Sequence, residues 1–426
     1  MTKCVLGDVA DVIISGVDKK TKDGEEKVRL CNYTDVYYNW AITGDKRDGL
    51  MEASAKPEEI RKFKIRKGLV ALTKDSETRN DIGIPTYIAD DFEDVILGYH
   101  CALITPHDKQ LDGKYLNALL RTKYAKEFFA NNAGGSGQRY YLSDTSIKEL
   151  PLFLPDFAEQ KRIGKFLSAI DRKIALNRKR IATLEAMAKE IYDYWFVQFD
   201  FPDAHGRPYK SSGGAMVYNP DLKREIPKGW EVKSLGEIAE VVNGATPSTA
   251  NPRNYDGDVV WITPKDLSDQ RSKFTYGGSR TISREGYDSC STHMLPRGSI
   301  LMSSRAPIGL LSIAAVDLCT NQGFKSFVPK EIDDNLYLYY YLKEHMAQVE
   351  AMGSGTTFKE VSRESMISFS IPYVSDRKVY ASFVAIAKPI FNQQELLGTE
   401  LARLSALRDI LLPVLMNGQG CIGDGT

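Results

Sequence analysis

The run Leu6-Gly7-Asp8-Val9-Ala10-Asp11-Val12 returns as Leu235-Gly236-Glu237-Ile238-Ala239-Glu240-Val241. Gly135-Ser136-Gly137 likewise returns as Gly353-Ser354-Gly355, each time ahead of a long helical pattern. Self-similarity on this scale implies two similar domains. Each copy ends in a helix whose apolar seam needs a partner. The simplest architecture therefore pairs the two helices and holds the globular units apart, the layout of a molecular ruler.

The helical patterns carry the clearest periodicity in the chain. Alternate steps of four and three from Ile163 reach Leu167, Ile170, Ile174, Asn177, Ile181, Leu184, Ala188, Ile191 and Trp195, so Asn177 alone breaks the apolar line. This is a coiled-coil heptad. With Pro155 and Asp156 as a start signal, the helix is predicted from about Glu159 to Trp195, ~55 Å at the α-helical rise. The second copy gives Val379, Phe383, Ile386, Ile390, Gln393, Leu397, Glu400, Leu404, Leu407, Leu411 and Val414. Pro389 lies inside it and predicts a kink or break near Ala385 to Pro389. Helix one leads into the second unit and helix two leaves it, so the pair is expected to run antiparallel. Asn177 and Gln393 fall at corresponding seam positions, where a polar residue can fix register.

Around the helices the pattern is short strands broken by turns: Val28 to Tyr33, Gly68 to Thr73, Thr86 to Ala89 and Cys101 to Thr105, with a helix over Gly113 to Ala130. The second copy repeats the plan with strands at Val259 to Thr263, Ser299 to Ser303 and Lys325 to Val328, and a helix over Asn335 to Met352. Phe201 to Gly229, rich in Pro, Gly and Ser, reads as a loop or linker. The expected fold class is α+β: two mixed, strand-rich domains separated by two long antiparallel coiled-coil helices, with a pseudo-two-fold internal repeat. The expected boundaries are 1–155 and 230–372 for the two domains, 156–200 and 373–416 for the helices, 201–229 for the linker and 417–426 for a tail.

Bulk composition narrows the class. A chain of 426 residues, 42% hydrophobic and 26% charged, is ordinary globular material for two to four domains. No apolar run approaches the roughly 18 residues of a membrane span, and Met1-Thr2-Lys3-Cys4 begins no secretory signal, so a cytoplasmic protein with no membrane partner is expected. Six scattered cysteines, with no CxxC pair and no histidine at ligand spacing, indicate neither a disulfide framework nor a metal site. The 56 basic and 56 acidic residues cancel, which argues against indiscriminate polyanion binding. The visible excess of positive charge is local, at Lys161, Arg162, Lys165, Arg172, Lys173, Arg178, Lys179 and Arg180.

Catalytic constellations are thin. There is no dinucleotide loop, Walker P-loop or HExxH site. Asn219-Pro220-Asp221 lacks the second proline and aromatic with which an amino-methyltransferase grips its target amine. Pro202-Asp203 followed by Glu231-Val232-Lys233 formally resembles the carboxylates and lysine of a metal-dependent nuclease, but so loose a pattern arises often by chance. No catalytic and no metal-ligating residue is expected. What the globular units offer is loops that mix small residues, amides, arginines and aromatics. Gly134 to Tyr141, with Ser136, Gln138, Arg139 and Tyr140, and Gly353 to Lys359, with Thr356, Thr357 and Lys359, can approach a phosphate while their side chains address base edges. Lys74, Arg79 and Asn80 in the first unit, and Thr246, Arg253, Tyr255, Lys265 and Arg305 in the second, are further DNA-binding candidates.

The run Leu154-Pro155-Asp156-Phe157-Ala158-Glu159-Gln160-Lys161-Arg162-Ile163, with Phe166-Leu167-Ser168-Ala169-Ile170-Asp171, Leu184-Glu185-Ala186-Met187-Ala188 and Trp195 to Asp200, resembles the central conserved region of type I restriction-modification specificity subunits. Gly244-Ala245-Thr246-Pro247-Ser248 and Asp258 to Thr263 look like the opening of that family's target-recognition domain. The resemblance covers essentially the whole chain. The distal copy departs from it at Asp376-Arg377-Lys378 and at Pro389. The resemblance implies a non-catalytic subunit that reads double-stranded DNA. It also implies docking by two methyltransferase subunits, joined in the full complex by two motor-nuclease subunits. The chain itself would hold no cofactor: S-adenosylmethionine, ATP and magnesium would belong to those partners.

Two recognition units related by a rough two-fold would each read one half-site, with the helices setting the gap. The charged stretch Lys19 to Lys27 has no counterpart after Gly244, so the half-sites should differ and the target should be an asymmetric bipartite sequence. Tyr192, Tyr194, Trp195 and Phe196 either form part of a docking patch or cap the coiled coil against the second unit. Two other classes remain open at this point: a stand-alone nuclease using Asp203 and Glu231, and a coiled-coil scaffold.

Overall fold

In the computed structural model the repeated run forms a single helical turn in each copy, Leu6–Val9 and Leu235–Ile238. The acid at its third position explains the recurrence. Asp8 Oδ2 accepts the Val5 backbone N–H at 2.9 Å, and Glu237 Oε2 accepts that of Ser234 at 2.7 Å, so each side chain satisfies a donor at the turn's start. The glycine is required by a neighbour: a Cβ would lie 3.0 Å from Lys148 Cβ at Gly7 and 2.8 Å from Ile367 Cγ2 at Gly236. Leu6, Ala10, Leu235 and Ala239 are buried, which anchors each run in its own core.

The structure describes residues 1–423 apart from 271, 306, 332 and 356–358, and the chain divides into two units, Met1–Arg178 with Glu400–Thr426 and Lys179–Thr399. In the first, β1 (Ala10–Ile14), β2 (Ala41–Ile42), β3 (Val70–Thr73), β4 (Pro85–Ile88) and β5 (Cys101–Pro106) form a sheet in the order β1-β5-β3-β4-β2. In the second, β6 (Ala239–Asn243), β7 (Phe274–Thr275), β8 (Ile300–Ser303), β9 (Leu311–Ala314) and β10 (Phe324–Pro329) take the order β6-β10-β8-β9-β7. In both sheets only the last pair is parallel. The register repeats as well: Ala10 faces Pro106, and Ala239 faces Pro329. A second sheet recurs too, Glu26–Cys31 between Met51–Ala55 and Val95–Leu97, and Tyr255–Ile262 between Thr281–Ile282 and Cys319–Thr320.

Two predicted helices are each split. Gly113–Leu119 is followed by Lys123–Asn132, because the Thr122 hydroxyl accepts the Ala125 N–H and starts a new helix. Asp334–Glu344 is likewise followed by Met346–Ala351. The predicted strand at Val28 to Tyr33 ends at Cys31, where the Asp35 carboxylate accepts the Asn32 N–H and opens the helix Tyr33–Tyr38.

The long helices are α1 (Phe157–Tyr192), which continues into a π turn at Asp193–Val197, and α2 (Arg377–Met416). Asp156 caps α1 by accepting the Glu159 N–H at 2.8 Å. Of the kink or break expected near Pro389, the break is excluded, since helix α2 is continuous through it. Proline there removes one hydrogen bond on an exposed face, while Phe383, Ala387 and Phe391 stay buried on either side of it. Within the first unit Asp171 meets Arg408 and Asn177 meets Glu400. Within the second Glu185 meets Gln394 and Trp195 meets Phe383. In each unit the α1 number rises as the α2 number falls, so the packed segments are antiparallel.

Ile163, Leu167, Ile170, Ile174, Asn177 and Trp195 are buried on α1, and Ile181, Leu184 and Ile191 are half-buried. On α2, Phe383 and Leu397 are buried and Ile390, Leu404 and Leu411 half-buried, but three predicted seam residues, Ile386, Gln393 and Leu407, are exposed. Ile386 is 45% exposed and Gln393 is exposed; Ala387, Phe391 and Gln394 take the buried line instead. The register slips by one residue because this stretch also faces the globular part of its unit, where the Phe391 ring packs edge-on to Phe274 and Tyr340.

One open alternative is decided and one further expectation is corrected. Tyr192, Trp195 and Phe196 are buried in the core of the second unit with Tyr337 and Phe383, so they cap the helix rather than offer a docking patch. The segment 201–229 is folded rather than a bare linker. Met216–Asn219 pairs with Arg224–Pro227, and Phe201 stacks on both Tyr209 and Trp230.

Candidate nucleic-acid interface

Each unit carries polar groups at the end of its central strand, β3 or β8. In the first unit the chain leaves β3 through Lys74 into Asp75–Ser76, which pairs with Arg139–Tyr141, which in turn pairs with Gly134–Ser136. Leu142 N–H donates to the Lys74 carbonyl at 2.7 Å and clamps the hairpin to the strand end. The tip is a two-residue turn, Gly137-Gln138, with Gly137 at φ +73°, the primed geometry that matches strand twist. Gly135, at φ +94°, is required more strictly, since a Cβ would lie 2.3 Å from the Arg139 carbonyl oxygen. Ser136, Gln138 and Arg139 are exposed on this tip. Arg79, on the loop after Asp75–Ser76, places its guanidinium 5.4 Å from the Tyr140 ring centroid, and Asn80 beside it is exposed. Seven predicted residues are thus brought to one place.

Lys74 is committed there as a support. Its ammonium pairs with Asp75 at 2.8 Å, and the same carboxylate oxygen meets His100 Nδ1 at 2.6 Å. Burial alone would raise the Asp75 carboxyl, but Lys74 and His100 outweigh it and bring it below the usual carboxylate range. Sequence reasoning missed Asp75 and His100. Their signal lies in topology, since both stand where adjacent paired strands end.

The second unit repeats the clamp with other residues. Val361 N–H donates to the Ser304 carbonyl at 2.9 Å, and Arg305 bridges to Glu360 where Asp75 bridges to Tyr141. Glu360 accepts Lys325 at 3.0 Å, and Arg305 Nη2 donates to the Gln322 carbonyl at 3.1 Å. Thr246 donates its hydroxyl to the Gln322 side chain, so Thr246, Arg305 and the exposed Lys359 gather around Gln322 and Glu360. Gly244 permits this, because a Cβ would lie 2.2 Å from the carbonyl oxygens of both Thr320 and Asn321.

The remaining candidates divide. Lys265 is exposed on the helix Pro264–Gln270, and Arg253 is exposed on the turn Pro252–Asn254. Tyr255 is only 7% exposed and donates its hydroxyl to the Pro247 carbonyl at 2.7 Å, so it is a brace for the loop and not a contact residue. Thr356 and Thr357 lie outside the described residues. Asp203 is occupied in a tight turn, accepting the His205 and Arg207 N–H groups at 2.8 and 2.9 Å. Among the described residues no group of three histidine, cysteine or acidic side chains is placed to hold a metal ion.

The run that opens α1 has a local cause. Gln160, 2% exposed, accepts the Asp112 N–H at 3.0 Å and donates to the Gln110 and Pro155 carbonyls. Arg377, its counterpart on α2, reaches Asp334 at 3.2 Å and the Tyr373 hydroxyl at 3.0 Å. The departure at Asp376-Arg377-Lys378 therefore keeps the tie between long helix and globular part by other bonds.

Two copies of one strand-rich unit, each presenting polar loops at the same point of its sheet and each bound to a stretch of two long helices, define a duplicated recognition protein. The model of the type I restriction modification DNA specificity domain matches residues 2–186 and 227–403, and the chain belongs to this family of DNA-specificity subunits. It is 40% identical over 153 residues to the type I restriction enzyme MjaIX specificity subunit of Methanocaldococcus jannaschii, a match spanning 35% of each chain. It is 25% identical over 401 residues to the HindI specificity subunit of Haemophilus influenzae, covering 81% of this chain and 85% of that one. Its fold is similar to that of a type I restriction-modification system S subunit from M. genitalium, with a TM-score of 0.62 and 16% identity over 100% of this chain and 96% of that one.

Proposed function

We propose that each unit reads one half of an asymmetric bipartite DNA site and that the paired helices set the unread spacer between the halves. The observation that carries this reading is the repeated clamp at the end of the central strand, which holds unlike side chains in the two copies: Asp75 and Tyr141 in one, Arg305 and Glu360 in the other. Equivalent backbone with different chemistry suits two half-sites of different sequence. On this reading Ser136, Gln138, Arg139, Arg79 and Asn80 address the first half, and Thr246, Arg305, Lys359, Lys265 and Arg253 the second. Base contacts from these side chains would specify, while loop backbone and lysines position the duplex.

Family membership supports the wider assembly. Two methyltransferase subunits would dock on this chain and use S-adenosylmethionine. Two motor-nuclease subunits would complete the complex and use ATP and magnesium. The chain would bind no cofactor and perform no chemistry. Among the described residues no helix is long and apolar enough to cross a membrane; on the family reading the chain would work in the cytoplasm beside the DNA. Selection of bound duplexes from a randomised pool by the full chain, co-expressed with its methyltransferase partner, tests the reading. A split motif with unlike halves is expected, and a single continuous motif would overturn it.

A further inference from the structure

The polar interruptions of the two helices recur by position. Asn177 lies eighteen residues after Glu159, and Gln394 lies eighteen after Asp376. Both amides are buried, at 0% and 2% exposure. Each donates across the helix pair to a carboxylate: Asn177 Nδ2 to Glu400 Oε2 at 2.8 Å in the first unit, and Gln394 Nε2 to Glu185 Oε2 at 3.0 Å in the second. Each carboxylate also takes a lysine, Lys173 on Glu400 at 3.2 Å and Lys273 on Glu185 at 3.0 Å.

The second pair is tied further into its unit. Glu185 Oε2 also accepts the Tyr340 hydroxyl at 2.9 Å, and Oε1 accepts Lys343 at 2.9 Å. Lys273 Nζ reaches Gln394 Oε1 at 2.9 Å and sits 3.5 Å from the Phe391 ring centroid. One carboxylate thus gathers donors from the strand side of the sheet, from the helix Asp334–Glu344 and from α2.

An apolar seam alone permits a slide by one heptad, because hydrophobic side chains exchange for one another. A slide here would set each buried amide against an apolar face and strip Glu185 of its donors, which is the way a buried polar residue selects register. We infer that the Asn177–Glu400 and Gln394–Glu185 pairs lock the helix register, and that Glu185 is a positioning residue for DNA specificity because it seats the second recognition unit at one place along the helices. This rests on the bipartite reading above.

The test uses the full chain co-expressed with its methyltransferase partner and a plasmid library in which the two half-sites are separated by spacers of varied length. The wild-type complex is measured first: if it selects no split motif, the bipartite reading fails, whatever the lock does. If it selects one spacer, Glu185→Leu with Gln394→Leu and Lys273→Met should raise methylation at spacers about three base pairs longer or shorter, the length of a one-heptad slide, by about tenfold, with half-site sequences unchanged. The exchange Glu185→Gln with Gln394→Glu, which keeps a carboxylate against Lys273, should restore the single spacer. Should the triple variant fail to fold, Asn177→Leu with Glu400→Leu asks the same question in the first unit. A folded variant that keeps wild-type spacer selectivity, or an exchange that fails to restore it, overturns the proposal.

Discussion

Replacing Glu185 with alanine removes one acceptor and leaves Lys273, Tyr340 and Gln394 facing each other without it. Burial would raise this carboxyl, but Lys273, Gln394 and Lys343 outweigh it and hold it at about 2, against an ordinary 4.5. A depression of that size corresponds to about 3 kcal/mol of stabilisation of the charged form. The Glu185 side chain is 28% exposed, which trims the figure through solvent screening, while stranding a buried ammonium adds to it. The expected loss is about 2–4 kcal/mol near neutral pH, roughly 5–15 °C in Tm for a unit of this size.

The sign with pH is definite. A depressed carboxyl contributes stability that is complete above about 4.5 and disappears as pH falls toward about 2, so wild type and variant should converge in acid. Burial lowers the Lys273 ammonium to about 8 from 10.5, so the unfolded chain holds its proton more tightly and stability rises with pH across that interval. Without Glu185 to hold it, the Lys273 ammonium loses its proton at a lower pH in the variant, so the variant's deficit should shrink as pH rises toward 8 and stay level above it. Of the four tryptophans, Trp195, Trp230 and Trp261 lie in the second unit, so fluorescence-monitored urea unfolding reports on it. A deficit under about 0.5 kcal/mol that does not vary with pH would refute the reasoning, as would a Glu185→Leu, Lys273→Met pair that fares no better than the single variant.

Gly135→Ala should lower affinity for the first half-site at least about a hundredfold with little change in Tm, because its Cβ would strike the Arg139 carbonyl at 2.3 Å. Gly137→Ala meets open space at φ +73° and should cost only about 1–2 kcal/mol of turn geometry; equal losses in a filter-binding assay would contradict the hairpin account. Arg139→Ala should cost roughly 1–3 kcal/mol and relax one base position, read from selected sequences. Deleting one heptad from α1 together with its partner heptad in α2 removes ~10 Å of helix and should shorten the spacer or abolish binding while the half-sites persist; an unaltered spacer would exclude the ruler.

The duplication was legible because each repeated residue answers a local demand. Leucine is buried, glycine meets a packed helix, and the acid accepts the N–H that opens the turn. The heptad on α1 was equally plain, since one apolar line serves it from Ile163 to Trp195. On α2 the same reasoning slipped by one residue, because heptad counting sees only the partner helix, while Phe391 also answers to Phe274 and Tyr340. The folding of 201–229 was hidden by its Pro, Gly and Ser content; what orders it is the stacking of Phe201 on Tyr209 and Trp230, a contact that no local pattern encodes.

The candidate interface was partly legible. Loop composition found Gln138, Arg139 and Arg79, and the structure brings them together through strand pairing between residues some sixty positions apart. Composition could not separate contact from support: Lys74 is spent on Asp75 and Tyr255 on Pro247, which only tertiary geometry decides.

The central claim is tested most directly by mapping adenine N6 methylation across the genome of the source organism with and without this gene. The account predicts that deletion erases one asymmetric bipartite motif and leaves every other modified sequence in place. An unchanged map in cells whose methyltransferase partner is expressed, or the loss of a single unsplit motif, would contradict it.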